Sequence, residues 1–477
     1  MKVKITKTMC IAIIGVMFTE IGYTQISNNW YFGLNAGLSF STDPPTALSD
    51  GELSTNEGCA SISSASGSLL FYTDGISVYT STHVLMTDVN LNPVNNLHGS
   101  ASSTQSANII PKPQSSSEYY IFTTDALGAN YGLQYSTIDM SLGGGLGQVV
   151  ESNVELFSPS CEKICATYHD NGMDIWVVAH EWNTNEFKAY RVTSTGVIST
   201  PVESVVGVSH TGGTQTGFNS VGAMKISPSR DRIACCLRDA RVELFDFDAE
   251  TGMVTNYMNL TPSASGNPTF YGLEFSPSGQ YLYYSQILGA SLHRFDISFE
   301  YVDEIISSNE LVGNGSDQMG QLQLGPDNRL YAALTVNQTT GVAALAVVGN
   351  PDASNPTFIE FGQALATNKY SLLGLPNFIS GTQPKPDQVS EPQANLPSLQ
   401  VNIYPNHANN QISIARVDAT GILCLNIYDS EGKLVDTDTI GSGVSIHNYN
   451  CHKLSSGFYV FAFNSKYGVV NVKVVIE

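Results

Sequence analysis

A small residue opening a short apolar run recurs seven times along this chain, and no other feature restricts the fold as much. The runs are Gly58-Cys59-Ala60-Ser61-Ile62-Ser63, Ser106-Ala107-Asn108-Ile109-Ile110-Pro111, Ile164-Cys165-Ala166-Thr167-Tyr168-His169, Gly222-Ala223-Met224-Lys225-Ile226-Ser227-Pro228, Gly272-Leu273-Glu274-Phe275-Ser276-Pro277, Gly320-Gln321-Leu322-Gln323-Leu324-Gly325-Pro326 and Gly374-Leu375-Pro376-Asn377-Phe378. Successive openings lie 48, 58, 58, 50, 48 and 54 residues apart. That period is too long for a helical-hairpin repeat and fits a propeller, in which each repeat is one small antiparallel sheet.

Most runs are followed by a turn cluster and a second, aromatic-rich run. Ser66-Gly67 precedes Leu69-Leu70-Phe71-Tyr72, Ser278-Gly279 precedes Tyr281-Leu282-Tyr283-Tyr284, and Asp327-Asn328 precedes Leu330-Tyr331-Ala332-Ala333. Each reads as strand, tight turn, strand. Third strands alternate in character at period two, as in Val242-Glu243-Leu244-Phe245-Asp246-Phe247. Small residues are expected where seven inner strands converge on a narrow axis, and aromatics where the blades splay apart. Beyond the seventh run the repeat stops. The early segments Asn29-Trp30-Tyr31-Phe32-Gly33 and Gly37-Leu38-Ser39-Phe40 are therefore expected to complete the last blade. With Ser276-Pro277-Ser278-Gly279 and Asp248-Ala249-Glu250-Thr251-Gly252 at turn positions, residues 26 to 380 resemble seven-bladed propellers of the WD40-like or YVTN-like kind.

Only 13% of the 477 residues are charged, and Gly, Tyr and Phe abound, a profile of strands and turns. Lys2, Lys4 and Lys7 precede the apolar run Cys10 to Phe18, and small residues stand before Gln25, so residues 1–24 read as a signal peptide. The run is too short to span a bilayer, and no later stretch is long enough; no transmembrane segment is expected in the mature chain. A net charge of −21, or −23 once the first 24 residues are removed, argues against nucleic acid as a partner. Seven cysteines remain, an odd number that forbids complete intramolecular pairing. Cys161, Cys165 and His169 are spaced by four, which on a strand separates neighbours by about 13 Å, so no metal site is predicted. Cys235 and Cys236 read as buried small side chains on opposite faces.

A Pro-rich stretch over residues 381–398 reads as an extended linker between a propeller at 25–380 and a small β-domain at 399–477. Alternating runs at 423–428, 457–463 and 469–476 predict an immunoglobulin-like β-sandwich. Here the chain resembles the C-terminal sorting domain of type IX secretion, found on exported proteins of the Bacteroidetes. Tyr404-Pro405-Asn406 matches its opening motif, Tyr428, Asp429, Gly432 and Lys433 its central hairpin, and Gly457 and Tyr459 its third motif. His407 stands where that family usually has a second Pro, and Glu477 where it has a basic residue. The resemblance implies the type IX machinery as a partner, and a location in the medium or on the outer-membrane surface.

Chemistry is sparsely signalled. No catalytic constellation is predicted. The residues nearest to one are Glu57 and Glu162, with Lys163 and His169 beside a channel mouth, where paired carboxylates would suit acid/base work. Glu57, Glu162 and Glu274 fall at different distances from their strand openings, which favours capping roles at different depths. His180-Glu181-Trp182 is expected in a connecting loop, and Gly143-Gly144-Gly145-Leu146-Gly147 in a loop between blades. No cofactor is predicted. The leading expectation is a binding or adhesion module for an extracellular glycan, protein or envelope component, because a rigid ring presents many variable loops. The alternatives are a polysaccharide hydrolase or lyase using the mouth carboxylates, and a structural component of the envelope or gliding apparatus.

Overall fold

The computed structural model describes residues 23–213, 217–261, 269–337, 339–381, 401–405, 407–408, 411–416, 423–430, 433–465 and 468–476. Nearly all of the expected signal peptide and linker lies outside these residues. Two compact units are separated at residues 387 and 388.

The first unit is a β-propeller. Six consecutive meanders begin with inner strands Cys59–Ser63, Ala107–Pro111, Ser160–Tyr168, Met224–Ile226, Phe270–Phe275 and Gln318–Leu324, and each is followed outward by antiparallel neighbours. The N-terminal strands Asn29–Phe32, Ala36–Ser39 and Thr46–Leu48 form the seventh sheet. It sits between blades six and one: Tyr31 stacks on Tyr72 of blade one at 4.4 Å, and Trp30 meets Tyr331 of blade six edge-on at 5.4 Å. Leu34 and Tyr370 exchange backbone bonds of 2.8 and 3.2 Å, tying the N-terminal sheet to the end of the repeats. Apolar clusters fill the wedges between neighbouring blades, as the aromatic-rich second strands predict; Phe187 and Phe245, for example, meet edge-on between blades three and four.

Backbone bonds close the ring at its narrow end. Gly58 N donates to Ser103 O, Glu162 N to Ser220 O, Ala223 N to Tyr271 O, Gln321 N to Leu373 O and Leu373 N to Asn56 O. This crowding explains the small openings. A Cβ on Gly320 would lie 2.3 Å from Leu373 O, and one on Gly374 would lie 1.6 Å from Glu57 O.

The seventh run departs from the expected pattern. Instead of opening a meander, Pro376 and Asn377 pair in parallel with Cys59 and Ala60 of blade one, and Ile379 and Ser380 with Ala166 and Thr167 of blade three. The chain therefore crosses the centre of the ring. Asn377 fixes it there, accepting from Gln105 at 3.2 Å and Gln321 at 2.9 Å and donating to Ala107 O at 2.9 Å. Gln105 in turn accepts from Met224 N and donates to Met224 O, so an amide hub links inner strands across the axis.

The glycine run also differs from expectation. Gly143–Gly145 is a turn inside blade two, joining Leu133–Asp139 to its antiparallel neighbour Gln148–Phe157. Strand Ile175–Glu181 extends far enough to include His180, which is buried and not in a loop.

The second unit is a β-sandwich. Strands Val401–Tyr404, Gln411–Arg416 and Ile446–Asn450 form one sheet, and His407–Ala408, Gly468–Ile476, Gly457–Ser465, Leu423–Tyr428 and Leu434–Ile440 the other. Ile412, Ile414 and Tyr449 of the first pack on Leu425, Ile427, Phe461 and Phe463 of the second.

Candidate functional site

Three consecutive residues of blade three's inner strand are sent to different surroundings by a local irregularity. Pairing with the next strand jumps from Ser160↔Glu181 to Ile164↔Ala179, so Cys161, Glu162 and Lys163 face only His180. Such a bulge re-aims side chains. Cys161 turns toward His180, with Sγ 3.8 Å from Nδ1. Lys163, fully buried, donates to Ser220 O at 2.8 Å.

Glu162 reaches the mouth of the ring. Its Oε2 accepts from Thr104 N and Thr104 Oγ1, both at 2.9 Å, and its Oε1 from Leu127 N at 3.0 Å. Glu57 lies close enough that the Glu162 charge raises its proton affinity. Burial, and then that charge, push Glu57 up to about 8, against the opposing influence of Tyr271 and Arg238. Burial also raises Glu162, but its three donors and Lys163 oppose the shift. Glu57, pushed above neutrality, holds a proton at neutral pH. Glu57 Oε2 is shut off from solvent and has no hydrogen-bond partner. Beside Glu57 lies a cavity of about 150 Å³, lined also by Arg238, Tyr271, Gln318 and Asn337 with apolar walls that include Leu288.

Two of the four sequence candidates thus meet at one mouth, and Lys163 stands next to them facing the other way. His169 does not join them. It lies seven residues along the strand, roughly 23 Å away, where its ring stacks on Trp176 and its Nδ1 accepts from Asn171 N. Glu274 is held by Lys225 at 2.9 Å, which also donates to Gln323. Sequence reasoning missed Tyr271, Arg238, Gln318 and Asn337. A signal existed for the first of these: Glu57, Val221, Tyr271 and Leu373 all line the cavity, and each immediately precedes a repeat opening.

For metal ligation, the spacing Cys161, Cys165, His169 brings nothing together. A different set, Cys161, His180 and His210, places one donor atom from each residue within 4.8 Å of the others, all buried.

In the second unit, Tyr404 ends the first strand, and Asp429 and Lys433 close a hairpin through Asp429 N to Lys433 O and Lys433 N to Asp429 Oδ1. Gly457 and Tyr459 open the long strand Gly457–Ser465, where the Tyr459 hydroxyl donates to Ser455 O at 2.8 Å. Asn406 and Gly432 lie outside the described residues. Residues 402–477 match the secretion system C-terminal sorting domain. The sorting domain marks the chain for type IX export, to the cell surface or into the medium. Among the described residues no helix is long and apolar enough to cross a membrane.

No curated protein matches the chain. Solved structures similar to it include the periplasmic gluconolactonase PpgL of Pseudomonas aeruginosa, at 13% identity and a TM-score of 0.38 over 79% of this chain and 97% of that one. Another is the β-propeller domain of Myceliophteria thermophila Cps50 (Swd1), at 11% identity and a TM-score of 0.34 over 78% of this chain and all of that one. At these values the likenesses carry no argument about activity.

Proposed function

We propose that this exported propeller, directed to the inner membrane by residues 1–24, is a binding or adhesion module for a glycan, protein or envelope component. Its ligand contacts the mouth beside Arg238, Gln318 and Asn337. The observation that carries this reading is the enclosure of the two carboxylates. A general acid or base must come within about 3 Å of the proton it moves. Glu162 is fully buried with both oxygens occupied, and Glu57 Oε2 is shielded from solvent. The adjoining cavity of about 150 Å³ is small beside the roughly 300–1,000 Å³ of a typical ligand pocket, and suits one projecting polar group of a larger ligand.

A second reading has one observation in its favour. A proton-holding carboxyl beside a second carboxyl is the arrangement from which a polysaccharide hydrolase or lyase works. Binding and turnover on a glycan and polysaccharide array separate the two. The binding reading expects capture without product, unchanged in Glu57→Gln and weakened roughly tenfold or more in an Arg238→Ala, Asn337→Ala double variant. Product formation that disappears in Glu57→Gln overturns it in favour of the enzyme.

A further inference from the structure

We infer that Cys161, His180 and His210, backed by Glu243, form a buried three-donor transition-metal site of the zinc class between blades three and four. Cys161 comes from the bulge in the inner strand, His180 from the end of the adjoining strand, His210 from the connection that follows Val202–Val205, and Glu243 from strand Arg241–Phe247 of blade four. All four are fully buried.

The hydrogen bonds fix which ring atoms are free. His180 Nδ1 lies 2.8 Å from Glu181 O. A carbonyl only accepts, so Nδ1 carries the proton and Nε2 presents a lone pair. His210 Nε2 lies 2.9 Å from Glu243 Oε2 and donates to it, leaving a lone pair on Nδ1. His180 Nε2, His210 Nδ1 and Glu243 Oε1 are enclosed and unpartnered. Two orphaned imidazole nitrogens around one buried thiol are otherwise an expensive arrangement, since each unmet buried group costs stability.

The second shell has the form metal sites use. A ligating imidazole donates its other N–H to a carbonyl or a carboxylate, which sets its tautomer, and here one ring does each. A thiol with two imidazoles suits zinc and soft monovalent copper, not magnesium or calcium. On loading, the Cys161 proton leaves to solvent and the thiolate and the Glu243 carboxylate balance the cation beside Lys163. The rings now stack in parallel, with centroids 3.6 Å apart and planes 7° apart. Parallel rings cannot aim both lone pairs at one point, and Cys161 Sγ now faces His180 Nδ1 at 3.8 Å instead of its Nε2, so the rings must tilt and His180 turn before one donor from each residue, already within 4.8 Å, closes to a tetrahedral edge. Three protein donors leave a fourth tetrahedral position for a water, and with all three buried the metal would be structural, joining two blades and the connection between them.

The test uses the untagged mature chain, stripped with a chelator and titrated with Zn²⁺ against a chromophoric competitor, followed by X-ray absorption of the loaded protein. One equivalent is expected, with one sulfur at about 2.3 Å and nitrogens at about 2.0–2.1 Å in the first shell. Affinity should fall more than 100-fold in Cys161→Ser, fall about 10- to 100-fold in Glu243→Gln, and stay unchanged in Cys165→Ser. Failure to bind one equivalent, or a loaded site without sulfur, overturns the proposal; the absorption measurement on the wild-type protein decides even where a variant does not fold.

Discussion

Glu57 gives the propeller a pH dependence that one isosteric change should remove. Its carboxyl titrates at about 8 in the fold against 4.5 as its ordinary value. Between those values the folded chain holds a proton that the unfolded chain has released. Stability from this group is therefore greatest below the window and declines as pH rises through it, by at most about 1.4 kcal/mol per unit. Glu57→Gln has no proton to lose, so the melting temperature of the variant minus that of the wild type should rise between about pH 5 and about pH 8. Parallel melting curves across that range would contradict the assignment of the proton to Glu57. Glu162→Gln should behave differently, because an amide would turn N–H groups toward the Thr104 and Leu127 donors; a loss of about 1–3 kcal/mol is expected in urea unfolding. Gly374→Ala places a methyl against Glu57 O and should cost about 3 kcal/mol or more, whereas Gly349→Ala, with its nearest neighbour at 3.8 Å, should cost little.

Single strands carry the closure of the ring, and here the sequence was readable in uneven measure. The small openings announced close backbone approach, and Gly320 and Gly374 meet it as read. The placement of Trp30 and Tyr31 in the last blade followed from an unpaired start and a repeat that stopped. Trp30→Ala should therefore cost about 3–5 kcal/mol and lower the melting temperature of the whole propeller, not of one blade. What could not be read was anything set by residues distant in the chain. Cys161 and Glu243 stand 82 positions apart, and the apolar run before His180 ends in His180-Glu181-Trp182, which reads as a loop. The bulge that separates Cys161, Glu162 and Lys163 has no local signature, because it arises from the partner strand's register. Glu57 and Tyr271 share the position before their openings, yet that position mattered only once the openings were known to lie at the mouth. In the sandwich, Phe461 is buried between the sheets, and Phe461→Ala should cost about 3–5 kcal/mol of that unit's stability.

At the scale of the molecule, a propeller is followed by a sorting domain that marks it for export. Chains ending between residues 381 and 401 should be made and folded but absent from the cell surface and the medium, which immunoblotting of fractions would show; their undiminished appearance outside the cell would deny the tail its role. The route of the chain through the ring's centre adds an order in time. Asn377 joins strands that began forming some 270 residues earlier, and it is followed by the sorting domain. A chain cut short before residue 377, by a stalled ribosome or a frameshift, loses lock and address together. The order of segments thus works as a proof of completeness: every copy that carries the shipping label also carries the piece that shuts the box.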